Sequence, residues 1–331
     1  MGRRSGYGRH VIAFAAWIFV ATSEAIPASD RAEAVSFGSA EERDTPPTEP
    51  ILRLNTTAHT APIWRIATDR ENRYAVTASS DKTARVWSLP DGRLAAVLRV
   101  PIDNENMGKL FAVAMTPDGS TVALSGWTGG SGTQENIYLF DRVSGALQRR
   151  ISGLPNVINH LAYSADGRLL IAALGSNGIR VYDASQGYKL LPSDTAYSDR
   201  SNWADFDRQG RLVTTSDDGF IRLYAARNYN SPIAKVKARG INDPYSAVFS
   251  PDSERIAVGD YNSTAIDLLS GKDLGLTRTV DTSGVVSKYT SGIGWSADAR
   301  YLFAAFWGGV DRGPPLGEWR EWPACRYRGR Q

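Results

Sequence analysis

A chain of 331 residues with 42% hydrophobic and 22% charged side chains, 31 Gly and 16 Pro has the make-up of a globular protein. Its formal charge of +3 is too small for the basic footprint of a nucleic-acid binder. Cys325 is the single cysteine, which excludes an intrachain disulfide and a thiolate metal cluster.

The N-terminus reads as an export signal. Arg3, Arg4 and Arg9 precede an apolar core of eleven residues, Val11–Ala21, and small residues then favour cleavage after Ala25. That core is well short of the ~20 residues of a spanning helix. An uncleaved anchor is the alternative; cleavage of residues 1–25 leaves no membrane span and sends the protein to the periplasm or the medium. Residues 26–50 are rich in Ala, Ser, Glu and Pro and poor in large apolar side chains, the composition of a flexible linker.

From Ile51 the chain changes character. Apolar runs at Ile63–Ala67, Tyr74–Ala78, Ala84–Trp87 and Leu94–Val100 are separated by polar turns, the pattern of four short antiparallel strands. One such sheet cannot hide both faces from water, so it must stack on copies. The copies exist. Trp87 has counterparts at Phe140, Tyr182, Tyr224 and Ile266, the last three intervals being 42 residues each. A turn marker keeps the same phase: Thr116–Ser120, Ser164–Arg168, Asp207–Arg211, Ser250–Glu254 and Ser296–Arg300. A period of this length with four strands is that of a β-propeller blade. The expected architecture is all-β: five complete blades at about 57–100, 109–152, 157–191, 201–237 and 244–280, and a partial sixth at 291–306, within a domain of residues 51–306.

His59 after Ala58, then Ser79-Ser80-Asp81-Lys82-Thr83 leading to Trp87, resembles the WD-repeat family, closely in the first unit and degenerately later. The stretches PIWRIATD, SSDKTARVWSLPDGR and NIYLFDRVSGAL are similar to bacterial exported WD-repeat proteins, some of which are joined to a caspase-like peptidase domain. No Cys/His pair of that type is present, so peptidase activity is not implied. The resemblance implies that His59, Ser79, Asp81 and Trp87 form a structural tetrad rather than a catalytic triad. Recurrence in phase supports this, since Asp218 and Asp260 stand six residues before their Trp counterparts, as Asp81 does, whereas a catalytic group has no reason to recur.

No catalytic residue, metal site or cofactor is expected. With His10 removed, the two remaining histidines and one cysteine are too few for a typical zinc site. His160, inside an apolar strand, reads as a packed core histidine. The expected function is a non-catalytic scaffold of the cell envelope binding a protein or peptide; a propeller binding a small ligand or glycan is the alternative. Insertions fall in the links between blades and in the turns on the same face, where a rigid scaffold presents recognition residues. Those loops carry Asn104, Glu105, Trp127, Tyr197, Asp199, Arg200, Trp203, Asn242, Asp243 and Tyr245. After Phe306 the alternation stops, and Pro314, Pro315 and Pro323 exclude a central strand from the irregular Gly/Pro/Arg-rich tail 307–331. Since the family usually closes a ring of seven blades, the resemblance implies an incomplete ring here, the front part of a longer propeller truncated or shifted in frame near residue 306.

Overall fold

The computed structural model describes residues 57–103, 106–129, 134–237, 239–283, 285 and 289–307. The expected signal, the linker, the tail beyond 307 and the candidates Asn104 and Glu105 lie outside them.

Five four-stranded antiparallel sheets follow one another, each a meander in sequence order. Blade 1 holds β1 (Ile63–Thr68), β2 (Tyr74–Ser79), β3 (Ala84–Ser88) and β4 (Leu94–Leu98). Blade 2 holds β5 (Leu110–Met115), β6 (Thr121–Gly126), β7 (Glu135–Asp141) and β8 (Leu147–Leu154). Blade 3 holds β9 (Ile158–Tyr163), β10 (Leu169–Leu174), β11 (Ile179–Asp183) and β12 (Lys189–Leu191). In blade 4 the strands are β13 (Ser201–Phe206), β14 (Leu212–Ser216), β15 (Ile221–Tyr224) and β16 (Ala234–Val236). In blade 5 they are β17 (Pro244–Phe249), β18 (Arg255–Asp260), β19 (Ile266–Ser270) and β20 (Leu276–Thr279). A partial sixth blade pairs β21 (Tyr289–Trp295) with β22 (Leu302–Trp307). Among the described residues there is no α-helix, only a 3₁₀ turn at Ala184–Gln186.

The turn marker is a local rule. Thr116, Ser164 and Ser296 each donate a 2.6 Å hydrogen bond from the hydroxyl to the aspartate two residues on, Asp118, Asp166 and Asp298. The residue after that aspartate takes a positive φ, 72° at Gly119 and 73° at Gly167, which glycine adopts without steric cost. Ser253 and Ala299 hold the same conformation at 63° and 58°.

The core lies between blades, not within them. Val76, Val86 and Leu98 of blade 1 meet Val113, Leu124 and Tyr138 of blade 2, and the same kind of seam recurs down the stack. Each fully buried leucine or isoleucine at such a seam contributes about 1.5–3 kcal/mol. Second strands are covered on both sides, so LLIAAL reads as a continuous apolar run and YAVTAS is broken only by the Thr77 and Ser79 hydroxyls.

Every described first strand carries a β-bulge at the same place. Register skips between Ile63 and Arg65, Leu110 and Ala112, Ile158 and His160, Ser201 and Trp203, Pro244 and Ser246, and Thr290 and Gly292. The extra residues are Trp64, Phe111, Asn159, Asn202, Tyr245 and Ser291. In a meander the start of strand one, the turn between strands two and three, and the link from strand four all lie on one face. The bulges therefore ring that loop face, and a bulge re-aims the side chain it carries.

Register corrects one equivalence. Thr77 pairs with Arg85 and Ala75 with Trp87 in blade 1. The matching pairs in blade 5 are Val258 with Asp267 and Ile256 with Leu269. Leu269, not Ile266, stands where Trp87 does, and Asp260 falls at the place of Ser79, not of Asp81. The turn 261–265 is one residue longer than 217–220, which breaks the constant count.

Candidate functional site at the loop face

His59 precedes β1 and is held from both sides. Its Nδ1 donates to Asp81 Oδ2 at 2.8 Å, which leaves Nε2 to accept from the Thr77 hydroxyl at 2.8 Å. The Trp87 indole N–H donates to the same Thr77 oxygen at 3.0 Å. Ser79, the expected tetrad member, is elsewhere: its hydroxyl donates to the Ala61 carbonyl at 3.0 Å and accepts from Asp81 N at 3.1 Å. Strand geometry decides between them. Trp87 lies opposite Ala75, so its ring reaches two residues along to Thr77; Ser79 is a further ~6.8 Å away.

A nucleophile in this place meets no substrate, because the His59 and Asp81 side chains are only 3% and 4% exposed. Burial alone would raise the Asp81 carboxyl, but hydrogen bonds from His59, Thr83 and Thr60 hold it well below the usual carboxylate range. Its stabilisation is therefore present above the ordinary carboxylate pKa and is lost as pH falls below about 4. Asp81→Ala is expected to lower unfolding free energy by about 2 kcal/mol at neutral pH, read from urea unfolding. A change below about 0.5 kcal/mol would show that the network carries no stability.

Blade 4 rebuilds the network with other residues. The Tyr197 hydroxyl lies 2.6 Å from Thr214 Oγ1 and 2.8 Å from the Tyr224 hydroxyl, which donates to Asp194 Oδ2 at 2.9 Å. Thr214 and Tyr224 occupy the register positions of Thr77 and Trp87. Tyr197, expected on the binding face, is therefore the buried counterpart of His59. Link residues look exposed in a sequence, and nothing local marks one that folds inward.

The other candidates separate into two groups. Trp127 is 39% exposed and meets Phe111 edge to face at 6.3 Å; Phe111 meets Trp64, 37% exposed, at 5.6 Å in the same way. The Trp64 indole N–H is anchored on Ser80 Oγ at 2.6 Å. Trp203 and Tyr245 lie at the axis, with Arg65 of β1 reaching across to both. The guanidinium sits 4.9 Å from the Trp203 ring and 5.3 Å from the Tyr245 ring, and Nη2 donates to the Tyr245 hydroxyl at 3.1 Å. His160 stacks on Trp203 with centroids 4.1 Å apart, and burial, with Arg65 adding to it, pushes its imidazole well below the ordinary value. Tyr261 packs against Tyr245 at 5.2 Å.

Arg200 is engaged by Asp217 at 2.5 Å, whose other oxygen accepts from Asn202. Asp243 accepts from Asn262. Asp199 accepts from the neighbouring Arg200 N–H, and Asn242 is exposed and outside both clusters. Sequence reasoning missed Trp64, Phe111, Arg65 and Tyr261. One signal was available: Arg65 is a charge in an inward slot of IWRIAT.

Residues 50–88 match the family model described as WD domain, G-beta repeat. Pre-mRNA-processing factor 19 homolog 2 of Arabidopsis thaliana is 25% identical over 208 residues, 61% of this chain and 36% of that protein. Eukaryotic translation initiation factor 3 subunit I of Candida glabrata is 24% identical over 230 residues, 61% of this chain and 59% of that protein. Coronin-7 of Rattus norvegicus is 31% identical over 114 residues, 34% of this chain and 12% of that protein. The chain thus spans less than two thirds of the length of these relatives. A WD repeat is matched over the first three strands of blade 1, and the four-stranded framework recurs through blade 5, so the chain is similar to WD-repeat proteins in sequence and has the blades of a β-propeller in its fold.

Proposed function

We propose that this protein is a non-catalytic scaffold of the cell envelope that binds a protein partner on the bulge-ringed loop face. WD-repeat propellers in general serve as protein-interaction scaffolds, and one relative is by its name a subunit of a larger factor. The observation that carries the reading is the aromatic trio of exposed Trp64 and Trp127 on either side of half-buried Phe111. Exposed aromatics on a rigid frame are the usual anchors of protein recognition. Their edge-to-face packing presents ring edges and clefts instead of the flat platform on which a sugar stacks, which favours a protein over a glycan.

A photo-crosslinking side chain placed at Trp127 should trap a partner in the producing cell, and one at Glu254, in a turn on the opposite face, should not. Trp64→Ala should weaken the trapped complex by about tenfold or more. Equal trapping from both faces, or none from Trp127, would overturn the reading. The envelope address rests on the cationic, apolar and small-residue order of residues 1–25. Protein recovered from the periplasm or medium should begin at Ile26; an intact Met1 in the cytosol would refute export.

A further inference from the structure

Arg65 differs from the other arginines whose ion pairs are described. Arg73, Arg93, Arg200, Arg211, Arg222, Arg255 and Arg300 each meet a carboxylate. Among the described residues no carboxylate pairs with Arg65, although it lies at the axis of the fold, partly buried between Trp203 and Tyr245. A guanidinium has five N–H donors. One goes from Nη1 to the Trp64 carbonyl at 2.9 Å and one from Nη2 to the Tyr245 hydroxyl. The Nε–H is buried without a partner. Nε and the adjacent Nη make the edge of the fork that grips a carboxylate through two parallel bonds.

A second unsatisfied group belongs to the same cluster. His160 is 9% exposed, stacked on the ring that Arg65 covers, and its Nδ1 is buried without a partner. An imidazole nitrogen is either a donor or an acceptor, and Nδ1 is the one left unmatched. A buried polar atom left unmatched costs about 1–3 kcal/mol, so two in one cluster are unusual in a finished core.

We infer that the axial cluster is a recognition subsite for a peptide carboxylate, with Arg65 gripping the acid and the unpartnered His160 Nδ1 hydrogen-bonding the peptide backbone beside it. The carboxylate is an Asp or Glu side chain or a free C-terminus; both offer the same oxygens beside a backbone N–H. The aromatic faces of Trp203 and Tyr245 exclude water around the ion pair, which strengthens it. This inference deepens the proposed loop-face reading and rests on it.

The test is an array of short random-sequence peptides, each with a free and with an amidated C-terminus, probed with the full-length protein and with Arg65→Gln, Arg65→Lys and Trp64→Ala. Peptides held by the unaltered protein should share an acid. Converting that acid to its amide should weaken binding about tenfold or more, and by less than about twofold against Arg65→Gln. Sensitivity to terminal amidation assigns the acid to the C-terminus, and sensitivity to Glu→Gln or Asp→Asn assigns it to a side chain. Arg65→Lys keeps the charge and loses the fork, so it should fall between; it carries the test if Arg65→Gln does not fold. An acid-to-amide loss of equal size in both proteins, selected peptides without an acid, or no peptide held at all would overturn the inference. Peptides that respond to Trp64→Ala and ignore Arg65 would leave loop-face binding standing and remove only the carboxylate subsite.

Discussion

Asp218→Ala is expected to destabilise the fold by about 3–5 kcal/mol, because it strands a buried guanidinium. The Asp218 and Arg222 side chains are 2% and 1% exposed and meet through two parallel bonds, Nη1 to Oδ1 at 3.0 Å and Nη2 to Oδ2 at 2.5 Å. Without the carboxylate, Arg222 keeps only the ring faces of Tyr197 at 3.9 Å and Phe220 at 5.6 Å, worth at most about 2 kcal/mol together with the desolvation already spent. The double variant Asp218→Ala with Arg222→Met should recover most of the loss, since an apolar replacement of a buried pair is often neutral. Burial pushes the Asp218 carboxyl up, but the bond and charge of Arg222 outweigh it and hold it below the usual range. The pair is therefore intact at neutral pH and weakens as pH drops below about 4. Urea midpoints of the single and double variants decide it. A single variant no worse than the double would show that the pair is not coupled.

The second large effect runs the other way with pH. Asp205 on β13 accepts from the Phe249 N–H of blade 5 at 2.9 Å, and burial pushes its carboxyl up to about 7. A carboxyl raised in the fold keeps a proton that the unfolded chain releases. Its stability contribution is complete below the ordinary value near 4 and is lost as pH climbs to about 7. Three units correspond to about 4 kcal/mol, and partial exposure of the side chain trims this to about 2–3 kcal/mol. The unaltered protein should therefore be less stable at pH 8 than at pH 5. Asp205→Asn keeps an oxygen for Phe249 and cannot ionise, so it should match the unaltered protein at pH 5 and exceed it by about 2–3 kcal/mol at pH 8. Parallel pH profiles of the two proteins would sink the argument.

The blades could be read from the chain because their determinants are local. A hydroxyl, an aspartate two residues on and a positive φ after it make the turn in blades 2, 3, 5 and the partial sixth, and Asp69 and Asp207 take the place of the hydroxyl in blades 1 and 4; all lie within five residues. The site could not be read this way. Arg65 and Tyr245 are separated by 180 positions, and only stacking of blades brings them together. Thr77 and Ser79 are both strand hydroxyls on one face, so the choice between them needs the opposing position of Trp87. Tyr197 was misread for a related reason: composition places a link residue at the surface, while Thr214 and Tyr224 draw it inward. The bulges escape a period-two reading because each adds one residue to a strand whose ends are already vague.

Those bulges separate two kinds of sequence constraint. A side chain in a paired register slot is bound to the ladder and to the seam beyond it. The bulge residue is excused from the pairing, so Trp, Phe, Asn, Asn and Tyr can occupy equivalent positions in blades 1 to 5 on the same hydrogen-bonded frame. Specificity can thus drift, one blade at a time, without renegotiating the fold. An engineer seeking a new ligand would randomise Trp64, Phe111 and Tyr245 first and keep Asn159 and Asn202, whose amides bond to Ser201, Asp217 and Pro244.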